Sequence, residues 1–244
     1  MISPHTLARN GDTWAEGVQI DPPPKRLYVL LIRVLPILLL VIIAAGLLIP
    51  ATRDTVLPLV HSDPLVREYR LVEMATFGCA AFAGLAGLVL TAKFSKSRTE
   101  RVFFLLFSLG MVFIAGEEVA WGQWLFSYET PEWMNQINAQ DEMTIHNLGP
   151  LQGRSEFFRV AFGVAGLVGL WPPLRRLQPV RMPLCLAPSL VAVCGLAAAD
   201  LLGDTGLLGQ AAEFHLSRLS EAVELVIAFV GLSYVLLHCR ARRS

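Results

Sequence analysis

The chain has 244 residues, 54% of them hydrophobic and only 16% charged, against roughly 25% charged in an average soluble domain. A soluble core of this size cannot hide that much apolar surface, so the natural solvent is a lipid bilayer. The 20 Lys and Arg balance the 20 Asp and Glu. This leaves no global basic signal for nucleic acid, and the composition excludes disordered chains and disulfide miniproteins.

A spanning helix needs about 20 mostly apolar residues. Six segments qualify: Leu27–Ile49, Leu71–Ala92, Val102–Val119, Glu156–Leu174, Pro183–Leu202 and Leu219–His238. The expected fold is an all-α, polytopic transmembrane bundle of six spans. Residues 1–26 form a polar cytoplasmic tail, 27–239 the membrane domain, and 240–244 a basic cytoplasmic tail. The fourth span is the weakest, with Arg159 near its start and Pro172-Pro173 at its end. Pro36 and Pro188 are expected to kink the first and fifth. Gly78, Gly84 and Gly87, then Gly163, Gly166 and Gly169, allow close helix approach in lipid.

Charge sets the orientation. With both termini inside, the inner segments hold 14 of the 20 basic residues and four acids (Asp12, Glu16, Asp21, Glu100). The outer side holds six basic residues and 16 acids. Short basic inner loops are where the positive-inside rule is most dependable. The zero net charge therefore conceals a polarised molecule. The expected location is a bacterial inner membrane, with the acidic face towards the periplasm. Cys79, Cys185, Cys194 and Cys239 fall in spans or at an inner end, so no disulfide framework is expected, and no CxxC metal motif occurs.

Polar residues gather on the acidic side. The third span ends with the adjacent carboxylates Glu117 and Glu118, followed by the longest segment between spans, rich in amides, acids and aromatics. Trp121, Trp124, Tyr128 and Trp133 suit the headgroup region, and short interfacial helices are expected within residues 120–155. Along the last span Glu213, Ser217, Ser220, Glu221 and Glu224 share one stripe at about 100° per residue. Six acids (Glu73, Glu117, Glu118, Asp200, Glu221, Glu224) are expected to converge near the outer boundary. His5 and His238 read as surface residues without a role, and His61 as a weak extra ligand.

Three readings of the acidic layer stay open. It is a salt-bridge network stapling helices, with Arg70, Arg154, Arg159 or Arg218 as partners. Or it holds a divalent metal through Glu118, His146, Glu221 and Glu224. Or it is a metal-free acid/base site with Glu117 and Glu118 as catalytic groups. Trp121, Gln123, Asn135, Asn138, Gln140 and Asn147 are candidates to bind a polar headgroup. Polar stations on one side only argue against a solute path through the membrane. No Gly-x-Ser-x-Gly elbow, phosphate-binding loop, dinucleotide fingerprint or EF-hand is present.

The set Gly116-Glu117-Glu118-x-x-Trp121-Gly122-Gln123, then Glu129-Thr130-Pro131, Asn135, Asn138, Gln140, Glu142 and His146-Asn147, resembles a motif set of bacterial multi-pass inner-membrane proteins. The resemblance covers about Gly116–Asn147 and the acidic start of the last span. It implies a polytopic fold and carries no activity. The membrane hydrolases of the alkaline ceramidase and adiponectin-receptor type differ, because their His-x-x-x-His pair is absent here. Two functions follow as expectations: a metal-dependent enzyme acting on a lipid or lipid-linked substrate at an outer-facing Glu/His site, or a non-catalytic subunit or assembly factor with membrane-protein partners.

Overall fold

A computed structural model describes residues 26–60, 71–138, 142–145, 148–149, 155–171 and 180–243. The polar tail 1–25, Arg70, Arg154, His61, Gln140, His146 and Asn147 lie outside the described residues, as does the Trp124 side chain. The fold is helical throughout, and one isolated bridge, Asn138 to Leu148, is its closest approach to a strand among the described residues.

The helices are α1 (Arg26–Leu48), α2 (Pro50–Val60), α3 (Leu71–Val89), α4 (Arg98–Glu118), α5 (Gln123–Phe126), α6 (Glu132–Asn135), α7 (Ser155–Val168), α8 (Ala187–Gly203) and α9 (Gln210–Arg243). Among the described residues five stretches are long and apolar enough to cross a membrane: Leu27–Leu48, Leu71–Phe94, Arg98–Glu118, Leu184–Gly203 and Gln210–Arg242. Their outward faces carry unpaired apolar side chains, such as Leu30, Leu38 and Ile42 on α1, Phe82 and Leu85 on α3, and Leu106 and Leu109 on α4. Belts of that extent suit lipid and not water. The chain is an integral membrane protein.

The expected fourth span is the exception. α7 has 14 residues, about 21 Å at 1.5 Å per residue, against a hydrocarbon core of about 30 Å. It ends at Val168 because Gly169, Leu170 and Trp171 tighten into a turn, with Leu170 N–H donating to Leu167 O and Trp171 N–H to Val168 O. Pro188 is also corrected. It sits in the first turn of α8, where its missing N–H has no intrahelical partner to lose, so it starts a helix and does not kink one. Pro36 lies inside α1 as expected. The interfacial helices reduce to α5 and α6, of four residues each.

α9 is the axis of the bundle. In its apolar window 67% of residues are buried, against 28–39% in the other four candidate spans. It touches α1, α2, α3, α7 and α8. Across α4 it meets Phe104 and Phe107 through Tyr234, with ring centroids 6.1 and 5.3 Å apart. α3 and α4 form an antiparallel hairpin whose closeness depends on small residues. A Cβ on Gly84 would stand 2.7 Å from Val112, and one on Gly87 would collide with Ser108. α7 and α8 pair in the same manner through Gly163 against Cys194 and Gly166 against Leu190. α2 folds back on α1. There Thr52 Oγ1 donates to Gly46 O and Arg53 Nε to Leu47 O, each at 3.0 Å, satisfying carbonyls that a helix end leaves open. Among the described residues no disulfide joins the four cysteines.

One end of the bundle gathers Glu73, Glu117, Glu118, Glu156, Asp200 and Glu224; the other gathers Lys93, Lys96, Arg98, Arg181 and Arg242. These are called the acidic and the basic end.

Candidate functional site at the acidic end

Two constructions share the acidic end. The first is a polar cap made by the segment after α4. Gly116 leaves room for the Trp121 ring, since a Cβ there would meet it at 2.9 Å. Trp121 Nε1–H donates to Glu117 Oε1. Glu117 Oε2 accepts from the backbone N–H of Ile145 at 2.7 Å, so both oxygens of this buried carboxylate are engaged. Gln123 Nε2 donates to Thr130 Oγ1 at 2.9 Å, while its Oε1 accepts from Met143 N–H at 2.8 Å. Asn138 Nδ2 donates to the carbonyls of Glu142 and Thr144, and Asn135 Nδ2 to Thr130 O at 3.4 Å. The motif that begins at Gly116 is thus a set of ties joining residues 119–138 to residues 142–145 at the bundle end.

The cap stores backbone strain. Ala120, Trp121 and Ser127 have φ of 46°, 53° and 52°, a region that L-residues other than Asn and Asp seldom occupy. Gly122, at φ 93°, takes the one turn position that strictly needs glycine. Apolar side chains of the cap face outward. Phe126 is 78% exposed and Trp133 64%, while Trp121 packs edge-to-face on Phe113 at 5.7 Å, continuing the lipid-facing stripe of α4.

The second construction is an ion network joining three helices. Arg159 of α7 is buried, 4% exposed. Its Nη2 donates to Glu156 Oε1 at 2.9 Å, to Ser155 Oγ at 3.0 Å and to Asp200 Oδ2 of α8 at 3.3 Å. Its Nη1 stands 3.9 Å from Glu224 Oε1 of α9. One guanidinium therefore faces three carboxylates. Within this network Arg159 Nε and Glu156 Oε2 are buried without a hydrogen-bond partner among the described residues. Glu224 is the accessible member, with 30% of its side chain exposed. The crowding extends to the turn after α8. There desolvation raises the Asp204 carboxyl above its ordinary range, Glu156 and Glu213 raise it further, and Arg159 opposes them.

The structure thus brings Asp200 and Glu224 together as expected and adds Glu156, which the sequence reading left out of the site. The local signal was there, since Glu156 and Arg159 are spaced i, i+3 on one helix face. Of the proposed arginine partners, Arg159 pairs with Glu156 and Asp200, and Arg218 stacks on Phe214 at 5.3 Å and interacts electrostatically with Glu221. Glu118, the last residue of α4, and Glu221, about three turns into α9, are half-buried. Glu117, Gln123, Asn135 and Asn138 belong to the cap ties. Among the described residues no three His, Cys, Asp or Glu side chains form a group able to hold a metal ion.

No protein-family model, curated protein or solved structure matches the chain.

His238 corrects another expectation. It is not a surface residue but 1% exposed. Its Nε2 faces Arg181 O at 3.1 Å and must carry the proton to donate there; its Nδ1 then accepts from Arg242 Nη1 at 2.9 Å. Arg242 Nη2 also donates to Glu100 Oε2 at 3.1 Å, and its guanidinium covers the Phe104 ring at 5.0 Å. Tyr234 OH donates to Val180 O at 2.7 Å. Tyr234, His238 and Arg242, spaced by four, form one stripe that fastens the basic end of α9.

Proposed function

We propose that the chain is a six-span membrane protein that receives the polar head of a lipid or lipid-linked substrate at its acidic end, in the network around Arg159. Support for the sixth crossing comes from pairing. α7 and its closing turn run antiparallel to α8, from Arg159 beside Asp200 to Gly169 near Met182, over nearly the full length of a helix that qualifies as a span. The basic end then faces the cytoplasm of a bacterial inner membrane by the positive-inside rule, with both termini there and the site on the periplasmic side.

The observation that carries the reading is the surplus of charge at Arg159. A network that only staples helices has no use for three carboxylates on one guanidinium, because buried charge without a counter-charge is destabilising. Sites that act on substrates often accept such imbalance. Glu224, loosely held and reachable, is the group that meets the substrate and exchanges a proton with it, in a metal-free acid/base role. The divalent-metal version has less support. Glu117 is tied into the cap, Glu118, Glu221 and Glu224 form no metal-holding group with other described residues, and His146 lies outside them.

A second reading, a non-catalytic subunit or assembly factor, is favoured by the cap, which presents Leu125, Phe126, Trp133 and Ile137 outward. Purification from native membranes followed by mass spectrometry of bound lipid and protein separates the two. The site reading expects bound lipid in the wild type and its loss in Glu224→Gln. A stoichiometric protein partner lost in a Phe126→Ala/Trp133→Ala double variant, with lipid content unchanged in Glu224→Gln, would replace it with the subunit reading.

A further inference from the structure

We infer that the acidic end takes a primary ammonium group, held by the carboxylates that Arg159 gathers. The inference rests on the site reading above and names the chemistry of the head that enters. Charge is the first argument. Among the described residues Glu156, Asp200 and Glu224 face one guanidinium, which leaves two negative charges unmatched there in largely buried surroundings, where like charges repel strongly. A neutral head would leave that repulsion in place, and an anionic one would add to it.

Hydrogen bonding is the second, independent argument. Glu156 is 8% exposed. Its Oε1 accepts from Arg159, and its Oε2 is buried without a donor. Asp200 accepts at Oδ2 alone among the described residues. Glu224 lies 3.9 Å from Arg159, beyond hydrogen-bond reach. Three carboxylates from three helices thus each have acceptor capacity to spare. A primary ammonium brings one positive charge and three N–H donors, which answers both deficits. A quaternary ammonium brings the charge without donors. Phosphate is the poor match, because Arg159 Nη2 already serves three acceptors. Glu224, the exposed member, is the point of entry.

The ammonium can come from an aminophospholipid head or from a free amine, and the test separates these sources. The full chain is reconstituted in nanodiscs of phosphatidylcholine containing a minor share of either phosphatidylethanolamine or phosphatidylglycerol. Retained lipid is counted by native mass spectrometry, and ethylammonium chloride is titrated by calorimetry. Phosphatidylethanolamine retained at least about tenfold over phosphatidylcholine (about 1.4 kcal/mol), and released by Glu224→Gln, supports the lipid source. Saturable ethylammonium binding that Glu224→Gln abolishes, without lipid preference, supports the free source. Glu224→Asp serves as a second variant that keeps the charge and is expected to bind more weakly than wild type. Preferential retention of phosphatidylglycerol, or equal retention of phosphatidylcholine, lost in Glu224→Gln, would leave the site reading standing and overturn the ammonium assignment. Binding of neither lipid nor ethylammonium to folded wild type would overturn both.

Discussion

Among the described residues, Arg242 at the basic end of the bundle pairs with the carboxylate of Glu100 and the imidazole of His238. At the acidic end Arg159 faces three carboxylates, from α7, α8 and α9. Both guanidiniums are buried to a similar degree, with 10% and 5% of the side chain exposed. Around Arg242 the described donors and acceptors are paired, although Arg181 Nε at the same end is buried without a hydrogen-bond partner among the described residues. Glu100 also accepts from Lys96 N–H and Ser97 Oγ in a capping box that starts α4, and His238 uses both ring nitrogens. At the acidic end one arginine nitrogen serves three acceptors while another has none, and a carboxylate oxygen is buried without a donor. Residues of the same kinds build a closed fastening in one place and an open one in the other. Saturation, and not the mere presence of buried charge, separates the staple from the candidate site.

Arg159→Met is the most damaging single change that the comparison anticipates. It leaves Glu156 and Asp200 buried without a counter-charge, for a loss of about 3–5 kcal/mol. Reversible unfolding in mixed detergent micelles would measure it. A loss under about 1 kcal/mol would mean that the acids stay neutral or hydrated and that the charge surplus is not real.

The matched end should behave as a coupled pair. Glu100→Gln and Arg242→Met each remove a charge-assisted hydrogen bond worth about 1.5–3 kcal/mol. Their double variant should lose less than the two single losses added together. Strict additivity in a double-mutant cycle would contradict the closed network.

The cap lies between these extremes, strained but fully tied. Gly116→Ala places a methyl 2.9 Å from the Trp121 ring, an overpacking effect of about 1–3 kcal/mol. Because the cap sits on top of the bundle, the loss should appear as earlier proteolysis within 119–145 and altered tryptophan emission, with the helices intact by circular dichroism. Loss of the whole helical signal would show that the cap is part of the bundle's core stability.

Much of this was readable beforehand, for identifiable reasons. α1, α3, α4, α8 and α9 announce themselves as apolar runs about as long as a bilayer is thick. α2 does not, since Thr52, Arg53 and Asp54 interrupt it and its length of 11 residues is set by docking on α1. α7 was overrun because apolar composition continues past Val168, whereas the backbone turns at Gly169. Asp200 and Glu224 could be placed at one depth from their helix positions. That Arg159 joins them depends on the α7–α8 pairing, which periodicity does not encode. His238 looked superficial because only its neighbour at i+4, Arg242, is local; its other partners, Arg181 and the distant Glu100 behind Arg242, come from the fold. In the sequence Glu117 reads as a catalytic group and Gln123 and Asn138 as headgroup-binding groups, and their role as ties becomes visible only once residues 142–145 fold back on them.

The central claim is that the acidic network is open and the basic one closed. The direct test is to compare the unfolding free energies of Glu224→Gln and Glu100→Gln in the same lipid-detergent mixture. The account predicts a loss of about 1.5–3 kcal/mol for Glu100→Gln and, for Glu224→Gln, no loss or a slight gain, within about 0.5 kcal/mol, because it removes surplus negative charge. Equal destabilisation by both would mean that Glu224 is as structural as Glu100 and would contradict the claim.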